Sequence, residues 1–202
     1  MKLVLATGNP GKAREIAEVL HEAGLDVELV PRPAGVPDVE ETGVTLEDNA
    51  RLKGVALCDA TGLAAIADDS GLEVDALGGA PGVRSARFAG DDATDHLNVV
   101  RLLELLRDVA PEQRTGRFAC VALARFPDGR EVAAFGGVDG RIATEPRGRE
   151  GFGYDPVFVP NEGDGRTFAE MEAGEKNSLS HRGRAFRTLA DGLRLVVALE
   201  KQ

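Results

Sequence analysis

Lysine is scarce in this chain, and its internal lysines stand beside glycine or acid. Only five of the 24 basic residues are lysine, and Lys12, Lys53 and Lys176 offer the compact point charge that arginine does not. Chance placement is the alternative. Lys12 follows Thr7, Gly8, Asn9, Pro10 and Gly11 at the expected start of a helix, where the macrodipole is positive and a lysine is mildly unfavourable. Gly8 and Gly11 allow close backbone approach, so a bound phosphate would explain the arrangement. A solvated lysine on a helix end would explain it equally, and the P-loop spacing G-x-x-x-x-G-K-[ST] is absent.

Asp68, Asp69 and Ser70 lie at the predicted end of a buried strand, where ligands gather in open α/β sheets. Adjacent carboxylates there point in different directions, so one can bind metal or orient water while the other supports the loop. A plain Asx turn or cap is the competing reading. Glu40 and Glu41 add hard oxygen ligands, and Mg²⁺ takes one or two carboxylates together with phosphates and waters. Asn49 and Lys53, four apart on a predicted helix, share a face and could reach one ligand, although exposed Asn–Lys pairs are common. Gly151-Phe152-Gly153-Tyr154-Asp155 sets two aromatics in a glycine-rich loop of a chain with no Trp and one Tyr. A loop aromatic stacks on a base for roughly 1–3 kcal/mol, or it packs beneath its loop. Lys176 precedes Ser180-His181-Arg182-Gly183, whose basic pair opens a helix against the dipole preference. That pair either donates to ligand oxygens or is simply solvated.

The elements that would carry these residues follow from periodicity. Leu3 to Ala6 reads as a strand buried on both faces. Asn9 as N-cap and Pro10 as first helical residue open a helix with Ile16, Val19, Leu20 and Ala23 inward, stopped at Gly24. Val27 and Leu29 mark a second strand, so the chain begins strand–loop–helix–strand, an α/β pattern. Residues 31–43 read as a loop. Thr45 with Asp48 resembles a capping box that opens a helix to about Leu57. Leu63 to Ala67 is a buried strand, and Gly78 to Gly82 a turn-rich loop. Thr94 caps a helix with Val99, Leu102, Leu103 and Leu106 on one face. Phe118–Phe126 and Glu131–Val138 form a hairpin. Pro156–Val159 is a short strand, and Ser180 caps the last helix, with Phe186, Leu189, Ala190 and Leu193 inward.

With 202 residues, 43% hydrophobic, the chain can bury one sizeable core, and a single domain over 1–202 is expected because no linker or repeat interrupts it. No run approaches the roughly 18 apolar residues that span a bilayer, and no signal peptide is expected. Cys58 and Cys120 suit reduced, buried thiols in a cytoplasmic protein, and two cysteines with three scattered histidines argue against zinc. The net charge of −10 argues against a nucleic-acid surface, and it leaves a phosphorylated small molecule in need of local cations or a metal.

Together these segments resemble the inosine triphosphate pyrophosphatase family, the house-cleaning dITP/XTP diphosphatases. The resemblance rests on LATGNPGK (5–12), EETG (40–43), NARLK (49–53), ADDSGLEVDALGGAPGVRSARFAG (67–90), GFGYDP (151–156) and EKNSLSHRG (175–183), in order along nearly the whole chain. It implies a long mixed sheet flanked by helices, two lobes around a nucleotide-binding cleft, a homodimer, Mg²⁺, and a nucleoside triphosphate substrate, with no nucleic-acid or membrane partner. It also implies residue roles. Thr7, Gly8, Asn9, Pro10, Gly11, Lys12 and Lys53 would hold the triphosphate. Asp69 would be general base and metal ligand, Glu40 a second metal-binding carboxylate, and Ser70 a substrate contact. Phe152, Gly153, Tyr154, Asp155, Lys176, His181 and Arg182 would bind the nucleoside. The chain departs from the pattern at Asp48, where Glu is expected, and at Ser178, where Ala is expected.

The implied reaction is hydrolysis of ITP, dITP or XTP to the monophosphate and pyrophosphate, which keeps these nucleotides out of DNA and RNA. Asp69 would activate water for attack at the α-phosphorus. Asp155, His181 and Arg182 would read the base edge, where a 6-oxo acceptor replaces adenine's amino donor. The rivals are a septum-inhibitor (Maf-like) nucleotide pyrophosphatase, a noncatalytic nucleotide sensor and a phosphoaspartyl phosphatase. The SHRG and GFGYDP segments oppose the first. Asp68, Asp69, Glu40 and Lys12 oppose the second. Thr7-Gly8-Asn9, where the third needs a nucleophilic Asp, opposes it.

Overall fold

The structure is a computed structural model that describes residues 1–199. In chain order the elements are β1 (Lys2–Leu5), α1 (Pro10–Glu22), β2 (Glu28–Val30), α2 (Leu46–Thr61), β3 (Ala64–Val74), α3 (Asp95–Leu105), β4 (Thr115–Arg125), β5 (Glu131–Ile142), β6 (Phe158–Pro160), α4 (Ala173–Leu179) and α5 (His181–Leu199). The strands form one sheet in the order β2-β1-β3-β4-β5-β6. β1 runs parallel to β2 and β3, while β5 and β6 are antiparallel, so the sheet is mixed and the class α/β, as expected.

The helix starts are locally encoded. The Asn9 side chain accepts the N–H groups of Gly11 and Lys12 at 2.8 and 3.2 Å, with Pro10 at the first helical position. Thr45 and Asp48 form the anticipated reciprocal capping box. α2 runs on to Thr61, past the anticipated stop at Leu57. Gly62 ends it with a left-handed φ of 66°, its N–H bonded to the Cys58 carbonyl at 2.8 Å. α4 has no counterpart among the sequence expectations.

The contacts divide the chain into two compact units. The first holds Met1–Asp69, Cys120–Gly136 and the chain from Arg182 on, and the second holds Ser70–Ala119 and Gly137–His181. In the first unit, Leu3, Leu5, Ile16, Leu20, Ile66, Phe186 and Leu189 build a core in which α1 and α5 share one sheet face. Val4 and Ala65, next in sequence to these strand residues, join Leu57 and Cys58 of α2 in a separate cluster. Neighbouring residues of one strand thus serve opposite faces, as a sheet covered on both sides requires. In the second unit Leu72, Val99, Leu102, Phe118, Tyr154, Phe158, Phe168 and Met171 form the core. Among the described residues, no helix is long and apolar enough to cross a membrane.

Candidate active site

β3 is longer than the sequence suggests. The strand expected to end at Ala67 continues through Asp68, Asp69, Ser70 and Gly71 to Val74. The two aspartates are therefore within a strand and not at its end. β1 stops at Leu5, opposite Ile66, and the Ala6 N–H donates to the Ile66 carbonyl at 2.8 Å. Asp68 and Asp69 follow just where β3 outruns β1. Alternation along a strand turns successive side chains to opposite faces, and the partners of the two carboxylates differ accordingly.

Asp68 Oδ2 meets Lys12 Nζ of α1 at 3.4 Å and Arg182 Nε of α5 at 3.4 Å. Arg182 Nη1 also donates to Glu15 at 2.5 Å. Lys12, Asp68, Arg182 and Glu15 thus alternate in sign through a buried network, which is how charges avoid the cost of leaving water unpaired. Asp69 faces α2. Lys53 Nζ donates to Asp69 Oδ1 at 2.7 Å and to Glu41 at 3.2 Å, and Asn49 Nδ2 donates to Asp69 Oδ2 at 3.4 Å. Asn49 and Lys53 reach one carboxylate because they lie one helical turn apart. Asn49 Oδ1 in turn accepts the Gly43 N–H at 2.8 Å, tying the EETG segment to α2.

Burial governs the charges. It pushes the Asp69 carboxyl above its ordinary range, and the Lys53 cation pulls back only part of that rise. For Lys53 burial opposes the charge, but Asp69 and Asp68 outweigh it and hold the ammonium protonated. Arg182 behaves alike, with burial opposed by Asp68 and Glu15, and its affinity for the proton is raised. A buried carboxylate with raised proton affinity, gripped by a cation, suits a general base.

The second unit carries the aromatic loop and the lysine expected with it. Asp155 is 3% exposed; its Oδ2 accepts Lys176 Nζ at 2.6 Å and the Phe152 N–H at 2.9 Å. Lys176 Nζ also lies 4.9 Å from the centroid of the Phe152 ring. The loop is therefore closed on itself by one carboxylate, with Gly153 N–H bonded to Asp95 at 2.8 Å. Tyr154 belongs to the core, its hydroxyl donating to the Ser85 carbonyl at 2.8 Å, and burial raises its proton affinity. The His181 ring is buried and stacks on Phe118 at 4.5 Å and 9°. Ser70 is half-buried on β3.

Within the first unit the structure thus brings Lys12 and Arg182 together on Asp68, and Lys53 onto its neighbour Asp69. Within the second it brings together Phe152, Gly153, Asp155 and Lys176. Glu40 is exposed, and it is Glu41 that joins Lys53 and Asp69. Sequence reasoning missed Glu15 as a partner of Arg182, although it shares a face of α1 with Lys12, three residues away. Among the described residues, no three His, Cys, Asp or Glu side chains gather into a ready-made metal cage.

A mixed α/β sheet that sets two adjacent carboxylates on opposite faces, each ion-paired to a lysine, has the makings of a hydrolase for an anionic substrate. The profile of the Ham1 family matches residues 3–192, and the chain belongs to that family. It is 52% identical over 196 residues to the dITP/XTP pyrophosphatase of Shigella flexneri, covering 96% of this chain and 98% of that one. With the dITP/XTP pyrophosphatase of Streptomyces coelicolor it shares 50% over 195 residues, covering 96% and 97%. Among solved structures, a HAM1 protein from Coxiella burnetii superposes with a TM-score of 0.86 at 41% identity, covering 96% of this chain and 98% of that one. The nucleoside-triphosphatase and dITP/XTP pyrophosphatase of Mycobacterium abscessus superposes with a TM-score of 0.73 at 46% identity, covering 94% and 97%.

Proposed function

We propose that this chain hydrolyses noncanonical purine nucleoside triphosphates, ITP, dITP and XTP, to the monophosphate and pyrophosphate. The observation that carries the reading is the Asp68–Asp69 pair, buried on β3 with Lys12 on one carboxylate and Lys53 on the other. The dITP/XTP pyrophosphatases to which the chain is about half identical support the same substrate class.

In this reading the loop Thr7–Lys12 and Lys53 hold the triphosphate. Ionised Asp69 accepts a proton from water as the water oxygen bonds to the α-phosphorus, and the bond from that phosphorus to the bridging oxygen breaks, releasing pyrophosphate. Lysines held in place for charge that develops on the leaving group lower the barrier without a covalent intermediate. The convergence of Asp69 and Glu41 on the single cation of Lys53 supports a site that accepts positive charge. Mg²⁺ needs only one or two protein carboxylates when phosphates and water supply the rest, so Asp69, with Glu40 or Glu41, would hold it. When bound, the metal neutralises phosphate charge as a Lewis acid. Ser70 would contact the substrate. Phe152 would stack on the base, with Gly153, Tyr154 and Asp155 shaping the loop around it. Lys176, His181 and Arg182 would favour a 6-oxo acceptor over adenine's donor. Residues 1–202 would act as one catalytic domain, as a homodimer, in the cytoplasm, without nucleic acid.

The test is pyrophosphate release from ITP, XTP, GTP, ATP and dTTP, with Mg²⁺ and with EDTA. Release from ITP and XTP alone, abolished by EDTA and by Asp69→Asn, is the expected outcome. Full turnover by Asp69→Asn would remove Asp69 from the chemistry, and equal rates on ATP would remove the base selection.

A further inference from the structure

A polar hollow lies beside the Thr7–Lys12 loop, on the side of the segment that follows β2. It is a cavity of about 560 Å³ lined by Thr7, Gly8, Pro31, Arg32, Pro33, Ala34, Val36, Pro37 and Asp38, within the roughly 300–1,000 Å³ range of small-molecule sites. Arg32 is its only cation. The Arg32 side chain as a whole is about four-fifths buried, and its Nη2 donates to the Val36 carbonyl at 2.8 Å. Nη1 donates to the carboxylate of Asp38, whose own side chain is 93% exposed. A β-carbon placed on Gly8 would lie 3.9 Å from Arg32 Nη1, so the guanidinium stands over the backbone of the loop at the distance of a neighbouring atom.

Three features prepare this hollow for a polyphosphate. Pro31, Pro33 and Pro37 restrict the backbone of the wall, which limits the ordering a ligand must impose. The guanidinium is planar and suited to bidentate contact with phosphate oxygens. Its present anionic partner is a solvent-exposed aspartate, whose hold water and salt weaken, so a ligand can replace it. On the loop side, Thr7 Oγ1 accepts the Asn9 N–H at 3.1 Å, which directs its own O–H elsewhere as a donor.

We propose that this cavity is a subsite for the pyrophosphate end of the substrate and for released pyrophosphate, and that Arg32 leaves Asp38 to clamp it. The inference rests on the triphosphate reading above and extends it to a residue outside the segments that carry the family resemblance. Arg32 is a binding residue in this account. Its loss weakens the hold on the distal phosphates, and Asp38 acts as the built-in competitor that the ligand displaces.

The experiment is calorimetric titration of inorganic pyrophosphate into the full-length protein, beside its Arg32→Gln and Asp38→Asn variants, with melting curves to confirm that each is folded. Arg32→Gln is expected to weaken pyrophosphate about tenfold and Asp38→Asn to tighten it two- to threefold. In turnover of ITP, Arg32→Gln should raise KM and relieve pyrophosphate inhibition. Equal pyrophosphate affinity in all three proteins, or none in the parent, overturns the subsite. Arg32-dependent pyrophosphate binding in a protein that turns over no nucleotide would instead uphold the subsite and sink the proposed reaction.

Discussion

The Arg182 guanidinium, proposed to favour a 6-oxo base, is held by Asp68 and Glu15 at 3.4 and 2.5 Å. Removing one member of a buried ion network leaves the others charged without compensation, at a cost of about 3–5 kcal/mol. Arg182→Ala should therefore lose that much stability in a urea melt, and Arg182→Lys should recover part of it by returning the charge. A melt unchanged in Arg182→Ala would mean that the two carboxylates find other partners. Lys53 permits a prediction about pH. Burial raises the proton affinity of Asp69 and Lys53 lowers it, so Lys53→Met should raise it further. A protonated carboxyl cannot accept water's proton. The acidic limb of kcat/KM should thus lie above the ordinary aspartate value near 4 and move to higher pH in Lys53→Met. A limb that stays in place would mean that another group titrates.

Elements whose signals are local were legible in the sequence. Asn9-Pro10 and the Thr45–Asp48 box are capped by side chains within three residues, so types and spacing suffice. The full length of β3 escapes the sequence for the opposite reason. Asp-Asp-Ser-Gly has the composition of a turn, and what makes it strand is distant: Lys53 lies 16 residues from Asp69, and Arg182 lies 114 from Asp68. Glu40 and Glu41 could not be told apart by type, and only the placement of Lys53 separates them. α4 went unread because seven residues containing a glycine, with no side-chain cap, give too weak a helical signal. The loop before β6 was legible as a loop but not as a self-closed one. Gly151 adopts a φ of 75°, and a β-carbon there would fall 2.2 Å from Asp155 Oδ2. Gly151→Ala must displace the carboxylate that holds Lys176 and the Phe152 N–H. Because small misplacements of binding groups are amplified in rate, kcat/KM for ITP should fall roughly ten- to a hundredfold. Wild-type kinetics in that variant would show that the loop takes no part in substrate binding.

At the scale of the whole molecule, the chain passes from one compact unit to the other inside its strands as well as at a helix start. β3 changes unit between Asp69 and Ser70, β4 between Ala119 and Cys120, and β5 between Gly136 and Gly137. Linkers between independent domains are exposed, flexible segments that few contacts cross. These passages are the reverse: Asp69, Ala119 and Cys120 are buried, and each stands within a strand. When one part of such a strand melts, the buried backbone groups of the residues next to it are left without their neighbours' cover. The two units should therefore unfold as one. For about 200 residues the enthalpy near 60 °C is about 140 kcal/mol, and a cooperative transition makes the van't Hoff value equal to it. If the units melted independently, each transition would carry about half of that. Scanning calorimetry at several protein concentrations distinguishes the cases, since dissociation of a dimer shifts the midpoint without splitting the peak. One transition with matching enthalpies is expected, and two resolved transitions would make each unit a domain of its own.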